Sequence, residues 1–402
     1  TTIASQQEGQ SNSLSIEGGS QTTEFDLQPT DYDQDTHFFL GYYFRNTWNV
    51  AHQNPTSPTL VNGFNQITNI EVWKLRTSRS PSESDTRKAT AVVDLGENPR
   101  LLAEANDYNE AVLPGPDRDQ YSEGDLETLR NGETPAGLAQ SLGSQDLVQG
   151  EFKRLERGRD YRINERLGFL SLTQRLRSNE ALAIAFRYRA NGEVRTIGDF
   201  SGDQGGTSGG IDADRLVLKL LRPSNPVAPT QGQAVAAWFL EMRNVYRLGG
   251  RGLTSDNFEL DVEYEPPGQG ARTSIPEVGG QQPLLRVLGL DRIDQNGARN
   301  PDNRFDFTPL TIDSEEGLLF FPYLQPFNEH ILRVAEENGS REAGEPFAFP
   351  ELYTKKKSIV ENEDTEKNVY HLRGSYKGST KEFYDLEAFT GLVEGLVEVT
   401  SG

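Results

Sequence analysis

The longest uninterrupted apolar run in this chain, residues 234–240 (AVAAWFL), is seven residues long. A membrane-spanning helix needs about 20 consecutive apolar residues, so none is expected here. The same limit shapes the globular options. The 39 glycines and 21 prolines of the 402 residues cut the apolar sequence into short, turn-bounded runs, the pattern of a strand-dominated chain. The most strand-like of these runs are 36–45 (THFFLGYYFR), 65–77 (NQITNIEVWKLRT) and 88–97 (KATAVVDLGE), which read as buried sheet.

Composition then narrows the function classes. The formal net charge of −21 argues against a phosphate-backbone partner, so no nucleic acid is expected. Arginine supplies most of the basic residues, a bias that fits an acidic, salt-tolerant protein as well as a merely acidic one. The absence of cysteine excludes disulfides and thiolate chemistry. His37, His52, His330 and His371 are scattered, with no metal-ligand spacing. Thr1 is preceded by no Met, basic or apolar leader, and the chain reads as a segment of something longer.

Read in order, residues 1–19 are a polar arm and 22–27 (TTEFDL) a first strand. Residues 37–44 are expected as an aromatic strand, and 67–75 as a half-buried strand with Ile70 and Val72 inward and Glu71, Trp73 and Lys74 outward. A polar hairpin-type connection over 78–86 leads to a partner strand at 89–95. Residues 97–150 are acidic and read as a long surface insertion with one or two short helices. Strands follow at 167–172 and 181–188, with Asn191-Gly192 as a two-residue turn. The Gly-rich stretch 201–210 (SGDQGGTSGG) lacks the Lys of a phosphate loop and reads as a linker. Strands are expected beyond it at 215–221, 238–246, 258–264 and 318–322 and a helix at 328–338; 369–376, 382–389 and 392–399 read as final strands.

Candidate chemistry is thin. Residues 291–306 (DRIDQNGARNPDNRFD) gather hard oxygen donors around a Gly turn, and Asp291, Asp294, Asn296 and Asp302 are the candidate calcium ligands, with Asn303 and Asp306 beside them. The spacing is not that of an EF-hand, and Asn, Asp and Gly also build turns with no metal. No other cofactor is indicated. Tyr42, Tyr43, Trp48 and Trp73 would suit a carbohydrate platform, although their spacing favours core packing. Ser, His and Asp occur without a Gly-x-Ser-x-Gly elbow, so an enzyme is not expected.

Taken together, 15–27 (SIEGGSQTTEFDL), 36–45, 67–73 (ITNIEVW) and 92–97 (VVDLGE) resemble the N-terminal repeat of the SprA (Sov) family, giant outer-membrane translocon subunits of type IX secretion and gliding motility in Bacteroidota and relatives. The resemblance continues in family order through 160–161, 167–172 (LGFLSL), 180–188 (EALAIAFRY), 197–200 (IGDF), 216–223 (LVLKLLRP), 242–248 (MRNVYRL) and 257–264 (NFELDVEY). It then runs through 284–291 (LLRVLGLD), 301–307 (PDNRFDF), 311–313, 319–327 (LFFPYLQPF), 369–376 (VYHLRGSY) and 393–400. Residues 118–149 have no clear counterpart, and the Arg-for-Lys shift is unusual for the family.

The resemblance implies a non-enzymatic segment of an outer-membrane protein conduit. It would sit on the periplasmic or the cell-surface side, with other translocon subunits and secreted cargo as partners. The expected architecture is mainly β, with tandem, jelly-roll-like β-sandwich domains attached to a larger barrel. Those domains are a sandwich over 20–200 carrying the 97–150 insertion, a linker at 201–210, a second β-rich domain over 211–350, and strands opening a further unit over 351–402. Strands 215–221 and 258–264 could instead complete the first domain. A reading from another class is a secreted carbohydrate-binding sandwich, calcium-dependent if the 291–306 loop binds metal.

Overall fold

In the computed structural model of the chain the described residues are 14–17, 20–77, 85–105, 107–203, 215–229 and 235–377. Sixteen strands lie among them. In chain order they are β1 Leu14–Glu17, β2 Ser20–Leu27, β3 His37–Phe39, β4 Phe64–Leu75, β5 Thr86–Val92, β6 Leu147–Arg154, β7 Tyr161–Asn164 and β8 Phe169–Leu172. There follow β9 Leu182–Ala190, β10 Glu193–Ile197, β11 Leu216–Arg222, β12 Val245–Arg247, β13 Phe258–Tyr264, β14 Ile312–Asp313, β15 Leu318–Phe320 and β16 Tyr370–Lys377. The protein is mainly β with short helices between strands, as the turn-punctuated sequence predicts. No helix among the described residues is long and apolar enough to cross a membrane. The strands expected at 382–389 and 392–399, nearly all of the hairpin loop and most of the Gly-rich stretch lie outside the described residues.

The largest sheet closes on itself. β4 pairs β9 along nearly its whole length, β9 pairs β11, β11 pairs β5 in parallel, β5 pairs β6, and β6 returns to β4. The ring of five strands has no free edge for association, which is what barrel closure achieves. β10 adds to the far end of β9 through the Asn191-Gly192 turn, whose residues have φ of 51° and 84° as a type I′ hairpin requires. β11, expected beyond a linker, therefore belongs to this first unit. All seven of its residues are buried, and an apolar run like LVLKLLR has no solvent face to offer.

One of those seven is Lys219, fully buried. Its Nζ donates to Glu97 Oε2 at 2.7 Å and to the Val93 carbonyl at 2.8 Å, while Glu97 Oε1 accepts the Tyr42 amide at 2.6 Å. Gly41 is needed at this point because a Cβ there would stand 2.5 Å from Glu97 Oε1. Beyond Gly41 the chain turns from β3 into helix α1, Tyr42–Ala51, where a continuous aromatic strand is expected from the run 37–44. The reason lies past the aromatic run. Tyr43, Phe44, Thr47, Trp48 and Ala51 are buried at helical spacing, so the period is 3.6 from residue 43 onward. Trp73, placed outward by strict alternation, is also buried, because β4 is covered on both faces near its end.

The acidic segment 97–150 contains two short helices, α2 Leu101–Glu104 and α3 Glu123–Arg130, as expected, but it is no loose excursion. Leu101, Ala105 and Leu129 join the barrel core, and the Thr90 hydroxyl donates to the Leu129 carbonyl at 2.8 Å. The buried Asp94 carboxylate accepts the Tyr121 hydroxyl at 2.6 Å and Gln120 Nε2 at 2.9 Å. Burial, then the neighbouring Asp94 charge, pushes the Tyr121 phenol up.

The second core is built from both ends of the chain. β2 pairs β16 from Leu27↔Leu372 to Thr22↔Lys377, and β16 pairs β13 on its other side. Gly374 lies at the centre, where a Cβ would meet the Glu259 carbonyl at 2.1 Å. The strand at 22–27 and the strand at 369–376, assigned by sequence to the first and last units, are thus neighbours. Helices Leu284–Val287 and Glu329–Glu337 cover this sheet with Leu284, Leu285, Val287 and Ile331. Two three-stranded sheets, β3-β8-β7 and β12-β15-β14, complete the architecture where the two cores meet.

Substituting Lys219→Met leaves Glu97 buried without its cation, and Glu97→Gln leaves the ammonium without its counter-ion. Each single change is expected to cost about 3–5 kcal/mol in urea unfolding, and the double variant to recover most of that loss. A double variant no better than the worse single one would remove the pair from its central place.

Candidate functional site

The predicted calcium loop is where the sequence points first. Asp291 is fully buried, yet Oδ1 accepts the Asp302 amide at 3.0 Å, and Oδ2 accepts the Asn303 amide at 3.1 Å and Arg286 Nε at 3.2 Å. Asp294 Oδ1 accepts the amides of Asn296 and Ala298, at 2.9 and 3.0 Å. Asp302 Oδ1 accepts the Arg304 amide at 3.1 Å, and Asp306 accepts the amides of Arg292 and Ile293 at 2.7 and 3.3 Å. These carboxylates organise the turns of their own loop, the role Asp and Asn play in Asx turns. The four candidate ligands Asp291, Asp294, Asn296 and Asp302 are not gathered around a common point. Among the described residues no group of three or more His, Asp or Glu side chains is placed to hold a metal ion.

The aromatic quartet is interior. Tyr42, Tyr43, Trp48 and Trp73 are each 2% exposed or less, and no sugar ring could stack on them. Three are also pinned by polar atoms: Tyr42 OH to the Ala236 carbonyl at 2.9 Å, Tyr43 OH to the Val61 carbonyl at 2.7 Å, and Trp48 Nε1 to the Phe321 carbonyl at 3.1 Å.

The site that sequence reasoning missed is an open cleft of about 840 Å³ between the two three-stranded sheets. Phe169 of β8 and Phe320 of β15 meet at its base, ring centroids 5.6 Å apart, with Leu310, Ile312 and Leu318 extending the apolar floor. Arg157, Arg162 and Arg166 stand on the β7 side, and Asp313, Glu315 and Glu316 on the β14 side. Arg162 crosses the mouth, Nη2 to Glu316 Oε1 at 2.6 Å and Nη1 to Glu315 Oε2 at 3.3 Å. Such solvent-exposed pairs contribute about 0–1 kcal/mol each, so the crossing is a weak tie. The volume falls in the range of ligand sites, about 300–1,000 Å³.

Ser171 also lines the cleft, and behind it lies a hydrogen-bonded row. His37 Nδ1 is 2.8 Å from Ser171 Oγ, and His37 Nε2 is 3.0 Å from Asp33 Oδ2. With Asp33 ionised, Nε2 carries the proton and donates, while Nδ1 accepts from the hydroxyl. The order acid, imidazole, hydroxyl is that of hydrolytic triads. Here, however, Arg247 Nη2 donates to the same Asp33 oxygen at 2.9 Å, and His37 faces Ser171 directly in the β3–β8 register. Burial pushes the Asp33 carboxyl up, but the hydrogen bond from His37 and the Arg247 guanidinium outweigh it and hold the group below its ordinary value. The row ties β3 to β8 and, through Arg247, to β12 across the junction of the two cores. Its only sequence signal is the Asp33–His37 spacing of four, because Ser171 arrives by strand register.

No protein-family model matches this chain, and none of the curated proteins searched does.

Because the folded Asp33 carboxyl titrates below its unfolded value, it contributes stability that is present above the unfolded value, ~3.9, and lost as pH falls through the folded one. Asp33→Asn is therefore expected to lower urea stability at pH 7 by about 1.5–3 kcal/mol, the range for hydrogen bonds to charged groups. The gap to the unaltered protein should close as pH falls below 4 or so. A gap that does not change with pH would show that the carboxylate charge is not what holds the row.

Proposed function

We propose that the chain is a non-enzymatic segment of an outer-membrane protein-secretion translocon resembling SprA (Sov), serving type IX secretion and gliding motility. It would act through shape and protein interfaces on the periplasmic or cell-surface side of that membrane, with other translocon subunits and secreted cargo as partners. The observation that carries this reading is the ordered run of resembling blocks from 15–27 to 393–400. In that reading the two β-rich units are accessory domains of a larger barrel protein.

The charge of −21 gives no footing for a nucleic-acid partner. The sugar-binding reading has little to stand on, since its aromatic platform is core.

Reading the gene on both sides of this segment is the first test. Many further segments of about ten residues with alternating polarity, enough to close a large barrel, are expected next to it. In the source bacterium, in-frame removal of the segment should then leave cargo proteins in the periplasm. A gene without such flanks, or unchanged export after the deletion, would overturn the proposal.

A further inference from the structure

We infer that the cleft binds a single-chain amphiphile with a carboxylate head, of the fatty-acid type, its hydrocarbon chain on the Phe169–Phe320 floor and its head at Arg166. This goes beyond the secretion reading and does not depend on it.

The walls disfavour a polypeptide. Along β7 the main chain is flanked by chain already, since the Gly158 amide bonds the Tyr161 carbonyl and the Ile67 amide bonds the Glu165 carbonyl. On the facing wall the Thr308 carbonyl accepts the Thr311 and Ile312 amides, and Asp313 Oδ1 accepts those of Glu315 and Glu316. Polar side chains nearer the base are engaged as well. Asn164 Oδ1 accepts the amides of Arg166 and Leu167, the Ser171 hydroxyl is bonded to His37 Nδ1, and the Thr308 and Thr311 hydroxyls bond each other. A peptide laid on this floor would bury amides with few partners and pay for their desolvation. A hydrocarbon chain brings no such groups, and Phe169, Leu310, Ile312, Leu318 and Phe320 give it an apolar bed. The volume of about 840 Å³ has room for it.

Charge selects the head. Glu316 is engaged by Arg162 and Arg251, Glu315 by Arg162, and Arg157 is paired with Glu165. Arg166, in the turn between β7 and β8, is exposed and meets no carboxylate among the described residues. The open charge of the cleft is therefore one cation at that turn. A single carboxylate matches it, in the charge-assisted and often bidentate pairing that guanidinium favours.

The test titrates the full chain calorimetrically with octanoate, decanoate and dodecanoate, each below its micelle-forming concentration, and with dodecyltrimethylammonium. Dodecanoate is expected to bind saturably, one per chain. Each two-carbon step should tighten binding severalfold, up to about fifteenfold where both methylenes are fully buried. Because the chain carries a net charge of −21, non-specific adsorption favours the cationic amphiphile, so a preference for dodecanoate reports the site itself. Arg166→Glu should weaken dodecanoate about tenfold or more, and Arg166→Lys should keep most of the affinity. The chain has no cysteine, so Glu315→Cys places a single thiol at the mouth, and coupling it to a bulky maleimide should block binding. The inference is overturned by no saturable binding of dodecanoate, which would leave the cleft to a partner's side chains. It is equally overturned by binding indifferent to chain length, to Arg166→Glu or to the blocked mouth.

Discussion

Strand β11 enters the barrel between β5, which it meets in parallel, and β9, which it meets antiparallel; without it the ring would stand open along two edges. A strand in that position is buried on both faces, and a charge inside it must bring its own solvation. Lys219 does so through Glu97 and the Val93 carbonyl. Glu97 opens the acidic segment after β5, and its other oxygen fixes the first amide of α1. A single buried ammonium thereby sets the positions of the closing strand, the acidic segment and the aromatic helix. The apolar contacts alone would not choose among nearby registers, because the neighbouring residues of β11 are interchangeable leucines and valine.

The path of the chain makes the two cores interdependent. β2 lies in the second core, the barrel follows it in sequence, and β16 returns some 345 residues later to pair with β2. Closing so long a loop is entropically costly, although the cost grows only slowly with length. It is offset where the cores meet, by Trp48 Nε1 on the Phe321 carbonyl, by Tyr246 OH on the Pro29 carbonyl at 2.9 Å, and by the Asp33–His37–Ser171 row. The cleft is a by-product of that meeting. The two small sheets touch along Phe169 and Phe320 and splay apart toward β7 and β14, leaving apolar surface that neither core covers.

What was legible in the sequence was whatever local pattern governs. The alternation of FELDVEY became β13, the Asn191-Gly192 pair became a tight hairpin, and the spacing of Ile331, Leu332 and Ala335 became the helix Glu329–Glu337. Local pattern failed where a neighbour distant in sequence decides. The break at Gly41 sits where Glu97 leaves no room for a Cβ, although the helical spacing from residue 43 onward is itself local, and β11 and β16 join sheets that no composition shift announces. The cleft was illegible for the same reason. Its floor comes from residues near 169 and 320, and its row from 33, 37 and 171, brought together only by register. The Asp-rich loop read two ways from sequence, because oxygen-rich sequence is equally the signature of carboxylates bonded to their own backbone, the bonds seen at Asp291, Asp294 and Asp306.

The preference for arginine over lysine has a structural counterpart at the junctions. Arg222 spreads one guanidinium over Asp35 Oδ1 at 2.8 Å and the carbonyls of Arg177, Glu180 and Pro223 at 3.3, 2.5 and 3.4 Å. Arg373 reaches Asp26 at 2.9 Å and Glu265 at 2.7 Å, and Glu263 besides. An ammonium offers three donors from one point and could not bridge acceptors so far apart, whereas the planar fork can. Lys219 is the exception that fits the rule, because its acceptors converge on a single point inside the barrel. A surface this acidic repels itself, and salt screens exposed pairs far more than buried ones. Placing Arg222 where several acceptors meet out of solvent keeps the junction between β11 and the loop before β3 insensitive to ionic strength, whereas the part-exposed Arg373 cluster and the exposed Arg162 crossing at the cleft mouth are pairs that salt can loosen.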